Sequence, residues 1–151
     1  MKKTLQIVVL AKDRKKLLEE TIDSILIQDD SEVDLEIVIS DNSETDDVEN
    51  LLSTYQFGKK NVKYLRRQPP ISHFDHFQTI INECNSDYMV MFHDDDIMHQ
   101  DYVKVMCPIL SKSSIVALGC NAFMFKSNVF GKLRKMHSFK TFKIFDKKRD
   151  F

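Results

Sequence analysis

Apolar positions in this chain fall into short continuous runs that alternate with stretches of helical spacing. Ile7-Val8-Val9-Leu10 is one such run, the pattern of a strand buried on both faces. Asp13 follows as a candidate cap, and Leu17, Leu18, Ile22, Ile25 and Leu26 recur at helical intervals, so a helix is expected over about 14–27. Gln28-Asp29-Asp30-Ser31 breaks it. Val33 to Ser40 reads as a second strand centred on Ile37-Val38-Ile39. Asp41-Asn42-Ser43 makes a polar turn, and Ser43 with Asp46 has the spacing of a capping box for a helix reaching about Tyr55. Phe57-Gly58-Lys59-Lys60 is a turn, Val62 to Leu65 a third strand, and Pro69-Pro70 opens a loop before a helix over about 74–83. Tyr88-Met89-Val90-Met91-Phe92 is a fourth buried strand, ending at His93-Asp94-Asp95-Asp96. A helix from about Asp101 is expected to bend or end near Pro108, and the uncharged stretch from Ile115 to Phe125 predicts a further strand. Nothing after Asn128 fits an element firmly. The alternation of strand and helix predicts an α/β fold with a mostly parallel sheet flanked by helices.

At 151 residues the chain suits one domain with one core. Its 22 basic and 23 acidic residues nearly cancel, which argues against nucleic acid as a partner. The balance is uneven along the chain. From Lys126 onward nine basic residues face only Asp146 and Asp150, a net of +7, which leaves −8 for the remainder. The chain therefore divides in sequence into a domain over residues 1–125 and a basic segment over 126–151. An acidic body that holds an acidic ligand needs a bridging cation or a local basic cluster. Cys84, Cys107 and Cys120 have no metal-type spacing and sit in or near apolar runs, as expected of buried free thiols in a reducing compartment. The apolar run from Leu5 to Ala11 is short for a signal peptide and lacks a small-residue cleavage site. The expected location is cytoplasmic.

In an open parallel sheet, ligands bind beyond the carboxyl ends of the strands. Ala11 to Arg14, Ser40 to Ser43 and His93 to Asp96 place polar residues at three such ends. The only glycines are Gly58, Gly119 and Gly131, and none opens a helix after a strand. A P-loop and a dinucleotide fingerprint are both excluded, because each needs glycine where backbone approaches phosphate. A bound diphosphate would need another source of neutralisation. Adjacent carboxylates at the end of an apolar strand are unfavourable without a cation, and hard oxygen donors suit Mg²⁺ or Mn²⁺; the bland alternative is a solvated acidic turn. Asp41 could accept from a base N–H or a ribose hydroxyl, or simply form the turn. No histidine pair carries a zinc-protease spacing, and no Gly-x-Ser-x-Gly elbow exists.

The segments LQIVVLAKDRKKLLEETIDSIL, VDLEIVISDNSETD and SDYMVMFHDDDIMHQDYV, in this order and spacing, resemble the opening strand and helix, the second strand with its acidic turn, and the fourth strand with its metal-binding carboxylates, in family 2 glycosyltransferases of the GT-A (Rossmann-like) fold. The resemblance covers roughly Leu5 to Met106. It implies inverting transfer of a sugar from a nucleoside-diphosphate donor, UDP-type by preference, to a hydroxyl on a glycan or lipid-linked acceptor, as in surface polysaccharide synthesis. By position it implies that Asp41 contacts the base, Asp94 the base or ribose side, and Asp95 or Asp96 the Mn²⁺ or Mg²⁺ of a D-x-D motif. His76 and Gln78 fall on a donor-lining segment, and Lys12, standing where the family carries a stacking aromatic, could pair with phosphate. Ser40 and His93 occupy positions where acidic residues are usual. The acceptor half and the catalytic base are expected beyond the matched region, so the chain reads as a truncated one and its catalytic base is unknown.

Two other readings stay open. The chain could be a non-catalytic nucleotide-binding or oligomerising module on the same fold, with a homo-oligomer as its assembly. A sugar-nucleotidyltransferase would need a glycine-rich loop where Leu10-Ala11-Lys12-Asp13-Arg14 stands. The basic tail, with Phe139, Phe142, Phe145 and Phe151 among its lysines, fits either contact with a membrane surface at the inner face or packing against protein.

Overall fold

The computed structural model describes residues 2–111, 117–120, 122–127, 133–138 and 144–145. The chain runs β1 (Lys3–Ala11), α1 (Lys15–Leu26), β2 (Val33–Asp41), α2 (Asp47–Leu52), β3 (Asn61–Arg66), α3 (His73–Glu83), β4 (Tyr88–His93) and α4 (Tyr102–Ser111). Four short strands follow: β5 (Ala117–Leu118), β6 (Phe123–Ser127), β7 (Leu133–Ser138) and β8 (Ile144–Phe145). Two compact units result, Met1–Pro108 and Ile109–Phe151.

The first unit is an α/β layer built on a parallel sheet of order β3-β2-β1-β4. Ala11 lies opposite Asp41, Leu10 opposite His93, and Asp41 opposite Arg66. The polar ends of the four strands therefore share one edge. Strand order extends from β1 through β2 to β3 on one side, then β4 lands on the other side of β1. That reversal makes the β1/β4 boundary the topological switch point, where ligands enter such sheets.

The apolar runs explain the layers. Ile7, Val8 and Val9 are fully buried, because alternate residues of a central strand point to opposite covered faces. On one face Leu5, Ile7, Val9, Ile37 and Ile39 pack with Leu18, Ile22 and Ile25 of α1, Val48 and Leu51 of α2, and Val103 and Cys107 of α4. Each fully buried aliphatic side chain contributes about 1.5–3 kcal/mol. The other face is smaller: Val8, Leu10, Val38 and Ile80 are buried, with Phe77, Met89 and Met91 packed against them.

Several expectations shift. β4, read as buried on both faces, is an edge strand of this sheet, and Tyr88 to Phe92 are half-buried. Hydropathy alone does not distinguish an apolar edge from a centre. α2 is shorter than expected and ends at Leu52. α4 continues through Pro108 to Ser111; a proline this close to the helix end removes only a late backbone bond. The expected strand from Ile115 to Phe125 appears, in its described parts, as β5 and β6, separated at Gly119, which weakens a strand interior. These pair antiparallel with β8 and β7 respectively. None of the three cysteines forms a disulfide, but only Cys107 is buried; Cys84 is half-buried and Cys120 exposed. Phe139, Phe142, Phe151, Asp146 and Asp150 lie outside the described residues. No helix among the described residues is long and apolar enough to cross a membrane.

Candidate functional site

The loop after β1 is laced to the loop after β2. Asn42 N–H donates to the Ala11 carbonyl at 2.9 Å, Asp13 N–H to Ser43 Oγ at 2.9 Å, and Glu44 N–H to Asp13 Oδ1 at 3.1 Å. Asp13 adopts φ 55°, a conformation that aspartate tolerates better than most residues. These bonds use the side chains that the sequence suggested as caps. Arg14, not Asp13, stands at the start of α1, and neither α1 nor α2 has a side-chain cap there. Ser43 and Asp46 form no capping box. Loop-to-loop bonds, invisible to local spacing, take the donors and acceptors first.

Asp41 is fully buried. Its Oδ1 accepts from Ser43 N–H at 2.9 Å and its Oδ2 from the Tyr64 hydroxyl at 2.7 Å. Burial, and then the bond to Asp41, push the Tyr64 hydroxyl well above its ordinary pKa. A base or ribose contact by Asp41 would compete with one of these bonds. Asn42, also buried, exchanges two bonds with Ile71, donating to its carbonyl at 2.9 Å and accepting its N–H at 2.8 Å. The loop leading into α3 is thereby fixed beside the ends of β1 and β2.

His76 on α3 is buried, its Nε2 2.8 Å from Ser40 Oγ. Ser40 Oγ also accepts from Arg67 Nε at 3.2 Å, and the Arg67 guanidinium grips both oxygens of Glu83. Burial, then the Arg67 charge, lower the His76 pKa to about 4. The imidazole is neutral at physiological pH. Gln78 on the same helix is exposed, and its side chain donates to Asn82 Oδ1 at 3.4 Å, across one helical turn.

The three aspartates after β4 take three different positions. Asp94 is fully buried; its Oδ2 accepts from Lys12 N–H at 2.9 Å, and its Oδ1 is ion-paired with Arg14 without hydrogen-bond geometry. Asp95 is exposed, its Oδ2 2.7 Å from Arg14 Nη1. Asp96 is exposed and folds back, its Oδ2 accepting from His93 N–H at 3.1 Å. Among the described residues, no group of three or more His, Cys, Asp or Glu side chains forms a ready-made metal cage.

A buried glutamine holds the segment that follows this acidic turn. Gln28 Nε2 donates to the carbonyls of Ser24 and His99, at 3.0 and 2.9 Å, while its Oε1 accepts from Val103 N–H at 3.0 Å. Ser24 Oγ accepts from Met98 N–H at 3.0 Å. The end of α1 thus supplies the first turn of α4 with a partner for an otherwise orphaned donor.

At the switch point these elements enclose a cleft of about 290 Å³. Lys12, Arg14, Asn42, His73, His76 and His93 line it with Leu10 and Ala11. His73 and His93 stand nearly parallel, ring centroids 6.3 Å apart. The cleft has two permanent cations, three imidazoles and no carboxylate in its wall. Of the residues singled out from sequence, Lys12, His76 and His93 line it. Asp94 and Asp95 pair with the Arg14 guanidinium but are not among the lining residues. Asp41 and Gln78 are not among the lining residues. Arg14, Asn42 and His73 were missed as site residues. Arg14 had a readable signal, since it begins the helix immediately after the first strand's polar turn.

Residues 6–151 match the family model for glycosyl transferase family 2. This chain belongs to that family. Abequosyltransferase RfbV of Salmonella typhimurium is 28% identical over 107 residues, which cover 70% of this chain and 32% of that protein. Among solved structures, TarS of S. aureus (residues 1–349) superposes with TM-score 0.65 at 16% identity, covering 74% of this chain and 33% of that one. The mannosyltransferase PcManGT from Pyrobaculum calidifontis, in complex with GDP-Man and Mn²⁺, superposes with TM-score 0.55 at 19% identity, covering 67% and 30%. This family 2 member spans about a third of the length of these proteins. The parallel sheet and flanking helices are the GT-A arrangement that the sequence suggested.

Proposed function

We propose that this family 2 chain holds a nucleoside-diphosphate sugar in the β1/β4 cleft, as the donor-binding part of a metal-dependent, inverting glycosyltransferase. The observation that carries the reading is the pairing of a cationic, carboxylate-free cleft with an exposed acidic turn at its rim. A diphosphate with no glycine-rich cradle needs positive charge, and Lys12 and Arg14 supply it from the protein. TarS has been crystallised with UDP and with UDP-GlcNAc, and PcManGT with GDP-Man and Mn²⁺. Those ligands motivate the ligand class proposed here.

The residues fit a divalent ion. Mg²⁺ and Mn²⁺ need only one or two carboxylates when phosphate oxygens and water complete the shell. Asp95 and Asp96 are exposed and carry hard oxygen donors, whereas Asp94 is committed to Lys12 N–H and Arg14. Asp95 and Asp96 would hold the ion, which would stabilise charge on the departing diphosphate. The protein's own contribution is to orient the donor. Lys12 pairs with phosphate, and neutral His76 offers a hydrogen bond without drawing the anion out of register. Asp41 maintains the turn that positions Asn42. Abstraction of the acceptor's proton falls to a carboxylate not identified in this chain, and the acceptor is a glycan or lipid-linked hydroxyl.

Calorimetry with UDP and GDP, with and without Mn²⁺, followed by a donor-hydrolysis assay, tests the reading. Mn²⁺-dependent binding of a nucleoside diphosphate is expected, with slow hydrolysis of the matching sugar donor. Absence of nucleotide binding at millimolar Mn²⁺ would refute it.

A further inference from the structure

Arg14 makes a contact that the donor-binding reading leaves unexplained. Its guanidinium spans two adjacent carboxylates: Nη2 meets Asp94 Oδ1, and Nη1 lies 2.7 Å from Asp95 Oδ2. The two acids are not equivalent partners. The Asp94 side chain is 1% exposed, and Lys12 N–H already holds its other oxygen. The Asp95 side chain is 43% exposed, so its bond to Arg14 faces water and is weak. Neighbouring carboxylates repel unless a cation lies between them. Here the chain provides that cation itself. Arg14 also lines the cleft beside Lys12, with 44% of its side chain open to solvent. A guanidinium freed from Asp95 already lies at the cleft lining, with Nη2 still paired to Asp94 and Nη1 released to meet an anion.

We infer that Arg14 is a built-in surrogate cation: it occupies Asp95 until a divalent ion displaces it, and the released guanidinium then binds the anionic ligand. The inference rests on the donor-binding reading, with the ion at Asp95. Two consequences follow from competition for one carboxylate. Metal alone binds weakly, because it must break a guanidinium bond. Metal and nucleoside diphosphate strengthen each other beyond direct metal–phosphate bonding, because metal binding releases a ligand for the diphosphate, and this coupling is reciprocal. Arginine stays charged across the accessible pH range, so the exchange responds to metal rather than to pH.

The test titrates Mn²⁺ alone, and then Mn²⁺ with saturating UDP, following free Mn²⁺ by its paramagnetic resonance signal. Wild type, Arg14→Gln and Asp95→Asn are compared, with thermal melts to show that each folds. Arg14→Gln should bind Mn²⁺ alone about three- to tenfold more tightly, since a competing cation is gone. The factor by which UDP strengthens Mn²⁺ binding should fall at least about threefold in that variant. Wild-type or weaker Mn²⁺ affinity in a folded Arg14→Gln protein overturns the inference. If wild type binds Mn²⁺ and Asp95→Asn abolishes it while Arg14→Gln changes nothing, the surrogate role alone fails. If no variant binds Mn²⁺, with or without UDP, the metal reading of the site fails and the inference with it.

Discussion

Replacing Gln28 by leucine should unsettle the segment after the acidic turn from a distance. The side chain is 2% exposed and makes three hydrogen bonds, to the Ser24 and His99 carbonyls and from Val103 N–H. Leucine fills a similar volume, so the packing change is small. What is lost is polar satisfaction. A net hydrogen bond contributes about 1 kcal/mol, and a buried donor left unpartnered costs about 1–3 kcal/mol. The Val103 donor is the critical one, because it lies in the first turn of α4, where no intrahelical acceptor exists. The expected destabilisation is about 2–4 kcal/mol, a large part of a typical domain stability of about 5–15 kcal/mol. Gln28→Glu should be at least as damaging, because it sets a carboxylate against two carbonyl oxygens while keeping the acceptor for Val103. Urea denaturation followed by far-ultraviolet circular dichroism measures both. Nucleotide affinity in the presence of Mn²⁺ should drop in parallel, since the segment that follows Asp94 to Asp96 is tied down by these bonds. A Gln28→Leu protein within about 0.5 kcal/mol of wild type would show that the tether does not hold that segment, and the magnitude argument would fail.

Adjacent aspartates should respond oppositely. Asp94→Ala removes the acceptor of Lys12 N–H and the buried partner of Arg14, costing about 2–3 kcal/mol after allowing for Arg14 turning into water; Asp95→Ala breaks an exposed pair and should cost under about 1 kcal/mol, yet abolish Mn²⁺-dependent nucleotide binding. Equal destabilisation in urea melts would contradict the assigned geometry. His76 gives a pH prediction. Its folded pKa of about 4 lies below the ordinary value of 6.5, so the unfolded chain takes up the proton first. The contribution is complete above pH 6.5, declines as pH falls toward 4, and changes no further below that. Denaturation at pH 7.5, 5.5 and 4.5 should show a steeper loss in wild type than in His76→Gln, and an imidazole that titrates near 6.5 by nuclear magnetic resonance would refute the burial argument.

The fold was legible because its dominant signal is local. Ile7 to Leu10, Ile37 to Ile39 and the α1 stripe of Leu18, Ile22 and Ile25 each declare their element by spacing, and the structure buries them together. The location of the site was legible for the same reason, since polar residues at the strand ends necessarily share the carboxyl edge of a parallel sheet. Side-chain roles were less so. Ser43 and Asp13 had the spacing of caps but bond across loops about 30 positions apart in sequence. Gln28 looked like part of a helix-breaking run, and two of its three side-chain partners lie more than 70 residues away. Asp94, Asp95 and Asp96 are identical letters in three environments, one buried and two open. Only packing separates the buried aspartate from the two exposed ones. The make-up of the cleft wall was hidden too, because Arg14, His73 and His93 come from three separate parts of the chain.

Mn²⁺-induced broadening of backbone amide signals, recorded with UDP present, tests the central claim most directly. The account predicts that Lys12, Arg14 and His93 to Asp96 broaden first, with Asn42 and His73 next. Lys3, Asn61 and Asp87, at the opposite end of the strands, should remain sharp at the same metal concentration. Broadening centred on those residues, or spread evenly over the acidic surface, would contradict a nucleotide and metal site at the β1/β4 switch point.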